Sequence, residues 1–289
     1  MPTEPSQKPD LSVALISEVF IFPHDVAPLE QCLIQARSKG AELAVLPELP
    51  LNTWVPAIKN ANEIDAEPPG GPRHQALSSA ARNAKIGVVG GAIVLDPGTG
   101  RRYNTALVFD DRGTLVASYR KLHLPDEDGF WETHHYHPGD TLGSVIDGFG
   151  LRFAVQICSD VNRPTGCLLL ASLGAEIIIN PRATEAATFQ RWKTVFIATA
   201  LTSATYLLSV ARPRPEVGVP LGGPSFAVAP TGEVLLETTE QIAVVPLYRS
   251  VIQEAKQRYP GYLATRADLY VEGWKRATTT KFPRETTAR

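Results

Sequence analysis

Apolar positions along the chain alternate between short unbroken runs and stripes at helical spacing. Leu11–Ile16 is an apolar run of strand length. From about Asp25 to Lys39, Leu29, Cys32, Leu33 and Ala36 recur on one helical face, and Gly40 follows as a stop. Ala41–Leu46 predicts a second strand, closing on Pro47 and Glu48. Past the Pro/Gly-rich stretch 67–72, the pattern predicts a helix over His74–Lys85 and a strand over Ile86–Leu95. Strands at Asn104–Phe109 and Thr114–Tyr119 flank Asp110, Asp111 and Gly113, the signal of a hairpin. Leu151–Ile157 is a strongly apolar strand that delivers Cys158. A helix at Pro164–Leu173, a buried strand at Ala175–Ile179, a long helix over roughly Thr188–Thr202 and a strand at Ala204–Val210 follow. Gly222–Val228, Val234–Leu236 and Ile242–Leu247 complete the β content, and a last helix, Val251–Arg258, precedes a polar tail.

Strands separated by helices predict a layered α/β domain, and the hairpin pairs predict mixed rather than purely parallel sheets. There is no repeat at solenoid periods and no long linker. The reading is one domain over 11–272, with a flexible N-terminus at 1–10 and a polar, threonine-rich tail at 273–289 that frays or straps a partner.

Composition narrows the function classes. The 289 residues are 44% hydrophobic and 20% charged, with 28 Lys and Arg against 30 Asp and Glu for a net charge of −2. That balance gives no basic excess for nucleic acid or an anionic membrane. No apolar run nears the ~20 residues of a membrane span, and the polar start lacks a secretory signal. Three cysteines, Cys32, Cys158 and Cys167, are an odd number and suggest no disulfide framework. The expectation is a cytoplasmic protein with free thiols.

Three segments each place a reactive side chain at the end of a predicted strand: Leu46–Leu49 with Glu48, Tyr119–Pro125 with Lys121, and Val155–Asp160 with Cys158. Strand ends are where layered α/β proteins build sites. Alone, each residue has a plainer role: a cap or ion pair for Glu48, a solvated surface for Lys121, and a buried structural thiol for Cys158. Cys32 and Cys167, on apolar helix faces, fit that plainer role. Cys158 differs because Asp160, Asn162 and Pro164 offer a helix start, whose backbone N–H groups favour a thiolate.

Together and in order, these segments resemble the nitrilase superfamily of carbon–nitrogen hydrolases. Spacings of 73 residues from Glu48 to Lys121 and 37 from Lys121 to Cys158 suit that family. Lys121–Asp126, Gly129–Glu132 and Pro138–Asp140 look most like its carbamoylputrescine-amidase, N-carbamoyl-hydrolase and aliphatic-amidase branches. Similar pieces continue through Gly174–Pro181, Gly223–Ser225, Pro230–Gly232 and Arg266–Tyr270. The run after the cysteine departs from the usual one: Ser159 stands for an aromatic residue, Arg163 for Phe and Thr165 for Glu. The branch, and with it the substrate, stays open.

The resemblance implies a four-layer αββα sandwich of two mixed β-sheets and a cofactor-free, metal-free triad. Carried over, Glu48 is the general base, Lys121 the electrostatic stabiliser, Cys158 the nucleophile and Glu132 a second glutamate. It also implies a homodimer or higher homo-oligomer. The Ser159 N–H is the expected second oxyanion donor. Trp54, Trp131, His134, His135 and Arg182 are candidate pocket residues: the tryptophans as an apolar wall, Arg182 as partner of a substrate carboxylate. His134, His135 and His137 do not make a metal site, because Pro138 and Gly139 follow at once and no second ligand set is present. The small-molecule substrate expected is a linear amide or N-carbamoyl amine; the alternatives are a nitrile and, in another class, a non-catalytic interaction scaffold.

Overall fold

The structure is a computed structural model that describes residues 8–277. In chain order its strands are β1 (Leu11–Ile16), β2 (Leu43–Val45), β3 (Ala66–Glu67), β4 (Gly87–Leu95), β5 (Arg102–Phe109), β6 (Leu115–Arg120), β7 (Asp126–Glu127), β8 (Phe130–Trp131), β9 (Phe153–Val155), β10 (Ile177–Arg182), β11 (Tyr206–Ala211), β12 (Ser225–Val228), β13 (Val234–Thr238) and β14 (Ile242–Leu247). The helices are α1 (Val26–Ser38), α2 (Pro72–Ala84), α3 (Pro164–Ser172), α4 (Phe189–Ser203), α5 (Arg249–Gln257) and α6 (Ala267–Ala277).

Two mixed sheets stand face to face. The larger runs β14-β1-β2-β4-β5-β6 with β3 beside β4, and the smaller runs β13-β12-β11-β10-β9. Burial follows the two-residue period of a strand. In β1, Leu11, Val13 and Leu15 point into a core shared with Val155, Ile177, Ile179, Leu208 and Val210 of the smaller sheet. Ala14 and Ile16 point the other way, onto Leu29, Leu33, Leu77 and Ala80 of α1 and α2. The smaller sheet repeats this: Ile178 and Leu207 face Leu170 of α3 and Phe196 of α4. Both faces of each sheet are covered, which is why the strands read as unbroken apolar runs. The result is the expected αββα sandwich, with an apolar layer between each pair of layers.

Some local readings shift. The strand expected at Leu151–Ile157 is regular only over Phe153–Val155, because the chain turns at its end to present Cys158. In β4, a Cβ on Gly90 would stand 2.8 Å from the Leu77 side chain, so glycine there lets α2 lie close on the sheet. Gly90 and Gly91 therefore serve packing. The tail expected from 273 begins inside α6, an amphipathic helix with none of its residues buried. Positions 1–7 and 278–289 lie outside the described residues.

Candidate active site

Both sheets deliver side chains to one end of the sandwich. Glu48 comes three residues after β2 and Lys121 directly after β6, both from the larger sheet. Cys158 comes three residues after β9 of the smaller one. Glu132 stands in a single 3-10 turn, Glu132–His134, just past the β7–β8 hairpin. The Lys121 ammonium donates to Glu48 Oε1 at 2.7 Å and to Glu132 Oε1 at 2.6 Å, with no part of any of the three side chains exposed.

Three donors converge on Glu48. Besides Lys121, the Asn104 side chain donates to Oε1 at 2.7 Å, and the Ala183 N–H donates to Oε2 at 2.9 Å. The backbone behind Glu48 is held as well. The Arg212 guanidinium donates to the carbonyls of Glu48, Leu49 and Asn52 and pairs with Glu216. Leu49 sits at φ 49°, a left-handed conformation that costs a branched residue energy and that this brace maintains.

Cys158 opens a short 3-10 turn, Cys158–Asn162, and also sits in the left-handed region at φ 45°. That sharp turn aims its thiol out of the sheet end. The Sγ donates to the Ala183 carbonyl at 3.4 Å. The first N–H groups of such a turn, that of Ser159 among them, have no partner within it.

The electrostatics differ from the sequence expectation in one respect. Burial pushes the Cys158 thiol well above its usual range, Glu48 pushes it further, and Lys121 only partly opposes them. The turn alone does not make a resting thiolate, because desolvation of the sulfur outweighs the nearby N–H groups. Burial by itself lowers the Lys121 pKa, but Glu132 and then Glu48 more than reverse that, and the ammonium is held charged. Burial raises Glu132 to about 8 against the pull of Lys121, with the Glu48 charge adding to the rise. Glu132 Oε2 has no partner among the described residues. A neutral carboxyl avoids an unpartnered negative oxygen in the interior.

A cleft of about 710 Å³ opens over the thiol. Its wall includes Pro125, Glu127, Asp128 and Phe130 around the hairpin, Cys158, Ser159 and Asn162 on the cysteine turn, and Thr184, Glu185, Arg191 and Trp192 leading into α4. Of the expected pocket residues, Ser159 lines it. Trp54 is buried behind it, donating from Nε1 to the Gly129 carbonyl at 2.8 Å and meeting Phe130 edge-on. Trp131 carries the Lys59 ammonium over its ring at 3.9 Å and touches His134 edge-on. His134 is exposed beside Asp126, and His135 is buried with Nε2 2.6 Å from the Ile58 carbonyl.

Arg182 requires a correction. It is wholly buried and does not line the cleft. Its Nε donates to Ser209 Oγ at 3.0 Å, and its other nitrogens donate to Thr184 Oγ1 and the Pro224 carbonyl. Burial also lowers its pKa to about 10. A guanidinium so engaged has no face for a substrate carboxylate, and Arg191 is the cation on the cleft wall.

Residues 13–257 match the carbon–nitrogen hydrolase family model. The chain belongs to the carbon–nitrogen hydrolase family. This hydrolase is 30% identical to the omega-amidase NIT2 of Homo sapiens, over 84% of this chain and 89% of that one. It is 29% identical to a chloroplastic omega-amidase of Arabidopsis thaliana, over 93% and 76% of the two chains. The structure of Saccharomyces cerevisiae Nit3, a member of the nitrilase superfamily, matches it at 27% identity and a TM-score of 0.75, over 89% and 96%. A carbon–nitrogen hydrolase of Helicobacter pylori shares the fold at a TM-score of 0.81 and 22% identity, over 92% and 99%. The hydrolase therefore has the nitrilase-superfamily fold, and its sequence places it beside amidases.

Sequence reasoning missed Asn104, Asp160 and Arg212 as supports of this site. Asn104 carried a signal: it is a polar residue within an apolar strand, and such a residue is buried only when bonded.

Proposed function

We propose that this hydrolase cleaves linear amides through a thioester on Cys158. The observation that carries the reading is the fully buried Glu48–Lys121–Glu132 cluster, joined through Ala183, which donates its N–H to Glu48 and accepts at its carbonyl from the Cys158 thiol on the cleft wall. Glu48 takes the thiol proton as sulfur attacks the amide carbon; a C–S bond forms and the carbonyl electrons move to oxygen. Lys121 has spent two of its three N–H donors on carboxylates, which leaves one for that oxyanion, together with the Ser159 N–H. Glu48 returns the proton to nitrogen, the C–N bond breaks, and ammonia or an amine leaves. A water then gives a proton to Glu48 and attacks the thioester. The acid departs, and the sulfur recovers the proton.

The raised thiol pKa supports a base that acts during attack rather than a stored thiolate. The omega-amidase relatives favour an amide over an N-carbamoyl amine or a nitrile. The test is ammonia release from matched amides, N-carbamoyl amines and nitriles by wild type and Cys158→Ala, with intact-mass detection of an acyl adduct. Release from amides by wild type, its loss in the variant and an adduct on Cys158 are expected. Activity that survives in Cys158→Ala would sink the thioester, and no release or adduct from any class favours the scaffold.

Free Cys32, Cys158 and Cys167 support a reducing, cytoplasmic setting. Among the described residues, no helix is long and apolar enough to cross a membrane. The exposed Leu269, Tyr270, Val271 and Trp274 of α6 support a homo-oligomer. Light scattering at micromolar concentration is expected to give at least twice the chain mass, and a monomer mass refutes it.

A further inference from the structure

Asp160 takes no part in the chemistry above, yet it gathers donors from both halves of the oxyanion site. It is wholly buried, two residues past the nucleophile. Its Oδ1 accepts from the backbone N–H of Leu122 at 3.2 Å and of His123 at 2.9 Å, and the His123 Nδ1 lies 2.8 Å away. Its Oδ2 accepts from the Tyr119 hydroxyl at 2.8 Å and from the Ile157 N–H at 3.2 Å. The residues on either side of Lys121 are thus tied to one carboxylate, and so is the residue before Cys158. A second tie crosses the same gap: the Ser159 hydroxyl donates to the His123 carbonyl. That hydroxyl stands where the resembling family usually has an aromatic ring.

We propose that Asp160 and the Ser159 hydroxyl form a clamp that sets the separation of the two oxyanion donors, Lys121 Nζ and the Ser159 N–H. Both are positioning residues in this role: they act through the Lys121 and Cys158 segments. The inference rests on the thioester reading above. The donors follow strands of different sheets, and the Asp160 and Ser159 bonds tie their backbone segments directly to each other. An oxyanion hole works only when both donors reach the same oxygen, and misplacement by about 1 Å costs on the order of 10²-fold in rate. The Asp160 carboxylate is suited to the task because it only accepts. An amide of the same shape turns one acceptor oxygen into an NH₂ group, which faces two donors and opens one side of the clamp.

The test compares wild type, Ser159→Ala and Asp160→Asn, each normalised to the amount of titratable Cys158 thiol. Readouts are kcat, KM, the thermal midpoint and the rate of Cys158 alkylation by iodoacetamide, which forms no oxyanion. We expect kcat per titrated site to fall about tenfold in Ser159→Ala and about 10²-fold in Asp160→Asn. KM and the alkylation rate stay near wild type. A kcat per site that stays at the wild-type value in either variant overturns the clamp. So does an alkylation rate that falls in step with kcat, which would place the defect at the nucleophile. If Asp160→Asn does not fold, Ser159→Ala decides, since it keeps the carboxylate. Activity surviving in Cys158→Ala would defeat the thioester reading itself, whereas loss there with full activity in the clamp variants defeats the clamp alone.

Discussion

Lys121 and Arg212 are both buried cations beside glutamates, and the Glu48 segment touches both. They differ in how completely they are satisfied. Arg212 has five N–H donors and uses all five: two on Glu216, and three on the carbonyls of Glu48, Leu49 and Asn52. Lys121 has three and uses two. Its second partner, Glu132, keeps one buried oxygen without a donor among the described residues. A saturated buried charge holds the backbone in place. An unsaturated one, buried beside the nucleophile's segment, has a donor left for something that arrives. Burial and charge alone do not separate these two cations, but the donor that Lys121 has not spent does.

The largest contrast comes from removing each cation. Lys121→Met takes away the spare donor and leaves Glu48 and Glu132 facing each other without a counter-charge. Amide hydrolysis is expected to fall by at least about 10³-fold. Arg212→Met removes five donors and leaves Glu216 with only the Trp54 N–H and the Leu49 carbonyl with only the Asn52 N–H among the described residues. It is expected to lose about 3–5 kcal/mol of stability in urea unfolding. The turnover of its folded fraction should fall far less, because the Glu48 carboxylate keeps its Asn104 and Ala183 donors. If Arg212→Met is the more damaging to turnover per folded molecule and Lys121→Met is not, the two roles are reversed and the comparison fails.

What could be read before the structure was the delivery of side chains by strands. Glu48, Lys121 and Cys158 each follow an apolar run, and that pattern follows from sheets covered on both faces. Pairings across long stretches of chain were not legible. β14 lies antiparallel to β1, matching Leu11 to Leu247 and Ile16 to Ile242, and nothing local in either strand says so. Arg182 shows the same limit at one residue. An arginine at a strand end reads as a ligand to something outside, yet its partners Ser209 and Pro224 arrive from later in the chain and enclose it. Asp160 read as a helix-start residue, but most of its donors sit on a segment nearly 40 residues earlier. The left-handed turns at Leu49 and Cys158 had no glycine or asparagine to announce them, because tertiary ties impose them. Helix α6 was missed because its apolar residues sit among charges and find no cover among the described residues.

The smaller effect sharpens the comparison through pH. Glu132 is raised to about 8, by burial first, then by the Glu48 charge, against the pull of Lys121. In the unfolded chain it titrates near the ordinary value for glutamate, about 4.3. Between those two values the folded protein holds a proton that the unfolded chain has released. Stability from this group is therefore complete below the lower value and is lost as pH rises through the upper one, at no more than about 1.4 kcal/mol per pH unit. Glu132→Gln keeps the shape and an oxygen for Lys121 but cannot titrate. Its stability in urea should change less between pH 5.5 and 7.5 than that of wild type, with the two curves closest at the acid end. Turnover should fall as well, by about tenfold or less, since the spare Lys121 donor survives. Equal slopes in the two proteins would mean that Glu132 is ionised in the folded state. The cluster would then carry a second full negative charge, and the unpartnered Glu132 oxygen would need a donor from elsewhere.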